Sequence, residues 1–188
     1  MQVRFTRAHK NIVIDEEGRR ITKKKVFGLA LSKGALCDEH PLSSGRHYVE
    51  FTYCGRSDDI GAEFGVAKYG LGLCGDLESS DGFWGYSLFA GQIQFICGTE
   101  EQGICRSTGD EIEWEGMESA ELADRIGLLL DLDVGSLSVY KNDRKLGVMC
   151  PPGTFKSGER YFWAVMLWSG KDAVQIEDSK PVPPLEQS

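Results

Sequence analysis

The stretch DRIGLLLDLDVGSLSVYKNDRKLGVM, residues 124–149, contains short apolar runs separated by two turn signals. Leu128 and Leu130 share one face of its first run, and a period of two returns after the turn. Asp133 is followed closely by a Gly, and Asn142–Asp143 separates the next two runs, as in tight reversals between antiparallel strands. The stretch therefore predicts consecutive antiparallel strands joined by two tight turns.

The same period of two runs through most of the chain. In residues 47–53 the apolar odd positions face one way and the even positions face the other. Residues 161–169 are almost continuously apolar, which is typical of a strand covered on both faces. Short strands with turns every 8–12 residues favour a β-sandwich or barrel. Only residues 115–125 look helical, and they are long enough for one or two helical turns.

Composition and charge narrow the class of protein. The chain is 41% hydrophobic with a net charge of −8, so it has no general attraction for nucleic acid. A basic cluster at residues 19–25 is best explained as a solvated loop. No apolar run approaches 18 residues and no signal peptide is evident, so we predict no membrane association. Six cysteines without short ligand spacing predict a reducing, intracellular (cytoplasmic or nuclear) location.

Tests for chemistry find no catalytic residue, cofactor or metal site. An EF-hand loop that began at Asp131 would have Asp133 at its third position, but Gly135 would replace its fifth ligand. Cys37 and His40 form a near-pair without the second half of a zinc site. Residues 70–75 match G-x-G-x-x-G, but no strand–helix–strand unit surrounds them. We therefore predict that the protein is not an enzyme.

Aromatic residues give the first candidates for a binding site. Trp84 and Trp163 lie in alternating strands and are predicted to be core. Trp168 ends a strand directly before the turn SGKD, where a Trp either anchors a partner or caps the core. Tyr69, with Leu71 and Leu73 in the following Gly-rich loop, either pins that loop to the core or is exposed for a partner.

Five segments in order carry a resemblance to a known family. They are LSSGRHYVEF (42–51), EFGVA (63–67), GFWGYSLFAGQI (82–93), the stretch 124–149 and YFWAVMLWSG (161–170). Together they resemble the SPRY domain, which also occurs with a preceding PRY segment. The resemblance implies a bent, all-β antiparallel sandwich of the concanavalin-like jelly-roll type. The sequence itself shows no strong internal break and ends in a stretch with three prolines and no pattern, so we predict residues 1–178 as one domain and residues 179–188 as a Pro-rich tail or linker.

The resemblance also implies a function. SPRY domains are non-catalytic modules that bind a peptide or protein through loops at one rim, for example as substrate-recognition or adaptor parts of ubiquitin ligases. In the peptide-binding type, the Trp at the position of Trp168 lines the pocket. We therefore expect a monomeric domain that binds a protein or peptide through Trp168, Ser169, Gly170, Tyr69, Leu71 and Leu73.

A carbohydrate-binding, lectin-like sandwich is the alternative function. It requires a strand face that carries clustered His, Asn, Arg and Trp side chains, since jelly-roll sandwiches also bind glycans. No strand shows such a cluster, and Asn occurs only at Asn11 and Asn142.

Overall fold

A computed structural model describes residues 2–25, 33–55, 61–69, 82–89, 91–96 and 113–184. These residues form no helix, and their strands are β1 (Arg7–Ala8), β2 (Ile12–Ile14), β3 (Arg20–Lys23), β4 (Lys33–Leu42), β5 (Arg46–Tyr53), β6 (Ala62–Lys68), β7 (Phe83–Ser87), β8 (Ile93–Ile96), β9 (Arg125–Asp131), β10 (Ser136–Lys141), β11 (Arg144–Cys150), β12 (Tyr161–Leu167) and β13 (Ala173–Ile176). None of the described residues belongs to a helix that could cross a membrane.

Two antiparallel sheets pack face to face. The six-stranded sheet has the order β1-β4-β12-β6-β7-β8, and the seven-stranded sheet has the order β11-β10-β9-β5-β13-β3-β2. The main core lies between them and includes the fully buried Phe51, Phe64, Tyr86, Leu128 and Val165. The all-β antiparallel sandwich predicted from the sequence is therefore confirmed.

Strands β9, β10 and β11 form the two consecutive hairpins predicted for residues 124–149. Gly135 has a φ of 76° in the first turn, and Asn142 and Asp143 have φ values of 51° and 68° in the second. Two adjacent left-handed residues match the twist of an antiparallel pair, which is why a short Asn–Asp loop suffices there. Among the described strands β11 pairs only with β10, and its register shifts twice along that pairing. Such shifts mark β-bulges.

Residues 115–125, which looked helical in sequence, form isolated turns. The amide of Met117 donates to the carbonyl of Trp114 at 3.3 Å, and Gly116 then takes a left-handed φ of 93°. A left-handed residue ends a right-handed turn, so no helix propagates. Trp114 fixes the segment further, because its indole Nε1 donates to the carbonyl of Gly91 at 2.7 Å.

Strand β12 is buried on both faces, as its continuous apolar sequence predicted. Trp163 and Val165 point into the main core, whereas Ala164 and Met166 belong to a second apolar cluster with Leu36, Ala67 and Phe83. Because side chains alternate along a strand, the second cluster lies on the outer face of the six-stranded sheet. The same alternation places Trp168, which follows β12, on this outer face.

The chain after β13 runs along the outside of the seven-stranded sheet. The amide of Glu177 donates to the carbonyl of Glu50 at 2.9 Å, and the carbonyl of Pro183 accepts from Arg46 at 2.8 Å. Residues up to 184 therefore contact the sandwich. A domain that ends at 178 stays a prediction.

Candidate functional site

Trp168 lies at one end of the six-stranded sheet, immediately after β12. Its side chain is 44% exposed, although every residue of β12 itself is buried. Its backbone amide donates to the carbonyl of Gly61 at 2.8 Å, which extends the β12–β6 ladder by one residue. The backbone of Trp168 is therefore held as firmly as a strand residue while the ring stays accessible.

The indole of Trp168 is oriented by the neighbouring strand. Its Nε1 donates to Oε1 of Glu63 at 3.1 Å, and Glu63 is itself buried. Gly61 lies opposite Trp168, and a Cβ at that position would come within 2.8 Å of the Cβ of Trp168. Gly61 thus leaves the space that the Trp168 side chain needs, and the buried Glu63 carboxylate selects one ring orientation.

A buried carboxylate closes the turn that follows Trp168. Oδ2 of Asp172 accepts from the amide of Ser169 at 2.6 Å, and its Oδ1 accepts from the hydroxyl of Tyr53 at 2.8 Å. Gly170 packs against Lys25, which follows β3 in the chain. A Cβ on Gly170 would lie 2.9 Å from the Cα of Lys25. Ser169 and Gly170, both expected in the site, therefore sit in a rigid turn beside Trp168.

Lys23 reaches the same turn from the seven-stranded sheet. It is buried, and its Nζ donates to the carbonyls of Leu167 (3.2 Å) and Trp168. Its backbone amide donates to the carbonyl of Asp172 at 2.8 Å. The sequence suggested a solvated loop for residues 19–25, and that interpretation is wrong for Arg20–Lys23, which form β3. Lys23 is in addition buried, and its ammonium contacts the end of β12.

Phe89 is a second exposed aromatic at this end of the sheet, and it was missed from the sequence. It is 77% exposed in the turn after β7, and the amide of the preceding Leu88 donates to the carbonyl of Ala62. β7 neighbours β6 on the side away from β12, so Leu88 and Trp168 lie two strands apart. That separation is about 10 Å between backbones. We call Gly61, Glu63, Phe89 and residues 168–172 the Trp168 rim.

Tyr69 lies at the opposite end of the sheet from Trp168. Its amide donates to the carbonyl of Arg160, just before β12, whereas Trp168 follows β12. The eight intervening steps span about 26 Å of strand. The expectation of one rim that contains both aromatics is therefore wrong, because β6 and β12 pair antiparallel along their full lengths.

Tyr69 has surroundings of its own. It is 53% exposed, its ring packs 5.9 Å from that of Phe162, and the Arg160 guanidinium lies 3.5 Å above its centroid. This cation–π contact covers one face of the ring. Leu71 and Leu73 lie outside the described residues.

The polar groups of the Trp168 rim are occupied by contacts within the protein. The buried ones bond to one another and to backbone, and the described residues contain no group of three His, Cys, Asp or Glu placed to hold a metal. Burial raises the pKa of the nearby Cys54 thiol, which opposes formation of a thiolate nucleophile. What the rim presents to solvent is aromatic surface on a fixed backbone.

Comparison with solved structures identifies domains with a similar fold. The SPRY domain of human HERC1 has a TM-score of 0.68 and 16% identity over 92% of this chain and 95% of that chain. The TRIM65 PSpry domain has a TM-score of 0.61 and 12% identity over 95% of this chain and 93% of that chain. A human SPRY domain has a TM-score of 0.63 and 15% identity over 92% of this chain and 98% of that chain. No protein-family model and no curated protein matches the sequence.

The likeness covers nearly all of each chain, and it agrees with the motifs between residues 42 and 170. Two facing antiparallel sheets, the paired hairpins of residues 124–149 and the buried β12 are the elements that those motifs predicted. This chain has the fold of a SPRY domain.

Proposed function

We propose that this protein is a non-catalytic interaction module that binds a short segment of a partner protein at the Trp168 rim. The observation that carries the proposal is that Trp168 is 44% exposed and yet fixed at both its backbone amide and its indole nitrogen. Exposed Trp side chains that are already ordered are effective anchors, because binding costs little additional side-chain entropy.

The neighbourhood of Trp168 supports an anchor rather than a cap on the core. A capping Trp would bury its ring against the main cluster, but the main cluster at this end is completed by Leu167 and Leu88 instead. The alternation of side chains places Trp168 on the outer face, where its indole nitrogen donates a hydrogen bond to Glu63. A ring held by its edge leaves apolar surface for a partner side chain, and this surface is part of the 44% of Trp168 that stays exposed.

The spacing of the rim suggests the form of the ligand. Trp168 and the turn that carries Phe89 are separated by about 10 Å, or roughly three residues of an extended chain. We therefore expect an extended peptide with two apolar side chains about three positions apart. Short linear segments of this type are recognised by loops on a rigid scaffold.

A role as the substrate-recognition or adaptor domain of a larger protein, such as a ubiquitin ligase, is the biological setting that we propose. The location would be intracellular and reducing, and the free thiols of Cys37, Cys54 and Cys150 support this. We further propose that the domain is a monomer. Sedimentation at increasing concentrations tests the last point, and a rise in mass would contradict it.

The binding proposal is tested by a peptide-display selection followed by affinity measurements on the selected peptide. Trp168→Ala should weaken binding by tenfold or more, about 1.4 kcal/mol, in a variant that thermal melting shows to be folded at the temperature of the binding measurement. Tyr69→Ala is the matched control, because it removes an exposed aromatic at the other end of the sheet. Loss of binding in the control but not in Trp168→Ala would overturn the proposal, and hits on a glycan array would favour the lectin-like alternative.

A further inference from the structure

A groove crosses the outer face of the seven-stranded sheet, on the side of the sandwich away from the Trp168 rim. It encloses about 370 Å³ between the sheet and the C-terminal segment, which we define as residues 178–184. The sheet contributes Tyr48, Tyr140, Asp143 and Lys145, and the C-terminal segment contributes Lys180, Pro181, Pro183 and Pro184. The groove therefore already holds a lysine followed by a proline-rich run.

Two tyrosines form a rigid floor for the groove. The rings of Tyr48 and Tyr140 meet edge to face, with centroids 5.7 Å apart. Tyr48 lies directly over Gly127, where a Cβ would collide with its ring, and its hydroxyl donates to Glu50 at 2.8 Å. Aromatic rings fixed on a sheet surface are the kind of platform on which proline-rich segments are recognised, since such segments are stiff before they bind.

Two carboxylates beside this floor select a cation. Nζ of Lys180 lies 3.0 Å from Glu50 and 2.5 Å from Asp143. The side chain of Glu50 is only 2% exposed, and Arg125 lies 3.9 Å from the same carboxylate oxygen. A carboxylate buried to this degree requires a positive partner, whereas an exposed one does not. The buried Glu50 therefore makes the lysine position the specific element of the groove.

The C-terminal segment is held loosely despite these contacts. Within the described part of the chain, Glu177 is the last residue that donates a hydrogen bond from its backbone to another backbone group. Between Glu177 and Pro184, Pro183 is half-buried and all the other residues are exposed. The remaining attachments are the Arg19–Asp178 ion pair, the Lys180 ion pairs and the Arg46 bond to the Pro183 carbonyl. Tyr48 and Arg125 still contact Glu50 when the segment leaves, and the other Lys180 pair is made to the exposed Asp143 and contributes little to stability, so the segment can leave without disturbing the core.

We propose that this groove is a second binding site, distinct from the Trp168 rim, which takes a lysine–proline segment of a partner protein. Residues 180–184 occupy it in cis and are displaced by a partner segment of the same chemistry. Glu50 and Asp143 bind the partner's lysine, Tyr48 and Tyr140 contact its prolines, and Arg46 binds a carbonyl of its backbone. The cis segment keeps the groove closed to weak ligands, because a competitor must overcome an intramolecular contact.

The experiment uses the full chain and a fluorescent synthetic peptide, Asp-Ser-Lys-Pro-Val-Pro-Pro, which is the sequence of residues 178–184. Lys180→Gln in the protein should release the cis segment and strengthen peptide binding by about tenfold or more, because the apparent affinity rises with the fraction of open grooves. Adding Asp143→Asn to that variant should weaken binding again at least fivefold. A peptide with Ala in place of its lysine should not bind.

Three controls make the outcome decisive. Pro183→Gly opens the groove without a change of charge and is the substitute if Lys180→Gln fails to fold, as judged by thermal melting. Trp168→Ala should leave this peptide's affinity unchanged, so failure here and failure at the Trp168 rim are distinguished. Equal affinity of wild type and both opened variants would overturn the proposal. A concentration-dependent dimer of the wild type that Lys180→Gln abolishes would also overturn it, because the occupant would then be a second copy of this chain.

Discussion

The hydroxyl of Tyr53, at the end of β5, donates to the buried carboxylate of Asp172 at 2.8 Å, and both side chains are removed from solvent. The same carboxylate accepts from the amide of Ser169. This contact joins the seven-stranded sheet to the turn that follows Trp168. The orientation of the Trp168 rim thus depends on a residue in the other sheet.

Tyr53→Phe should destabilise the protein by about 1–3 kcal/mol, because it removes a donor from a buried carboxylate and fills no new space. Urea unfolding measures the loss as a lower midpoint at unchanged slope. Tyr69→Phe removes the same hydroxyl from an exposed ring and serves as the control, with a change of less than about 0.5 kcal/mol. Equal effects of the two substitutions would show that the Asp172 bond contributes nothing.

Lys171→Gly should leave stability unchanged or raise it by up to about 1 kcal/mol, because Lys171 has a φ of 83° that glycine adopts without strain. Gly45→Ala is the reverse test. Gly45 has a φ of 75° with nothing within 4 Å of a built Cβ, so alanine there should cost about 1 kcal/mol through the backbone alone. The melting temperature should fall for Gly45→Ala and should not fall for Lys171→Gly, and a lower midpoint for Lys171→Gly would contradict the strain at this position.

Stability should fall as the pH rises above about 9. Burial raises the pKa of the Cys150 thiol and of the Tyr86 hydroxyl above their ordinary values near 9 and 10. Above those ordinary values the unfolded chain loses protons that the folded chain keeps. The free energy of unfolding is therefore at its full value below them and decreases above them. Each group costs about 1.4 kcal/mol per pH unit in that range.

Urea unfolding at several pH values between 8 and 11 checks this expectation. Tyr86→Phe should make the decline between pH 10 and 11 shallower, and the difference in tyrosinate absorbance between wild type and Tyr86→Phe should rise together with unfolding rather than before it. A decline of the same steepness in Tyr86→Phe would exclude this residue as a cause.

Thiol alkylation should distinguish three of the cysteines. Cys54 is half-exposed and should be modified in the native protein, although slowly at neutral pH, because burial raises its pKa. Cys37 and Cys150 are buried and should react only after denaturation. Mass spectrometry of the digested protein locates each label, and Cys54→Ser removes the label that the native protein takes up at this position. Fast labelling of Cys150 in the native state would mean that the β11 end of the core opens readily.

The local patterns in the sequence predicted the fold well. Alternation across residues 48–53 placed Phe51 in the core and Glu50 on the outer face of its sheet, although it did not show that Glu50 is buried there, and unbroken apolarity identified β12 as a doubly covered strand. These features depend only on the period of side chains along a strand, so they can be seen in one sequence. The Asn142–Asp143 turn was equally local.

The site was less predictable because it depends on strand pairing. Trp168 was expected at a strand end and lies there, but Tyr69 was expected beside it and lies at the other end of β6. The burial of Lys23 and Glu63 had no sequence signal, since both charges look solvated until two strands approach them. Phe89 could have been noticed as an aromatic inside a turn, directly before Ala90 and Gly91.

The register shifts of β11 have a consequence for how this protein behaves in concentrated solution. β11 lies at the edge of its sheet in the part of the chain that the structure describes, and its two bulges interrupt the regular row of backbone groups that another sheet would need in order to join it. Arg144 and Lys145 add charge at the start of the same edge. The hairpin that defines the fold is thereby also protected from growing into a fibril, and a deletion that removed a bulge would turn this edge into a template for aggregation.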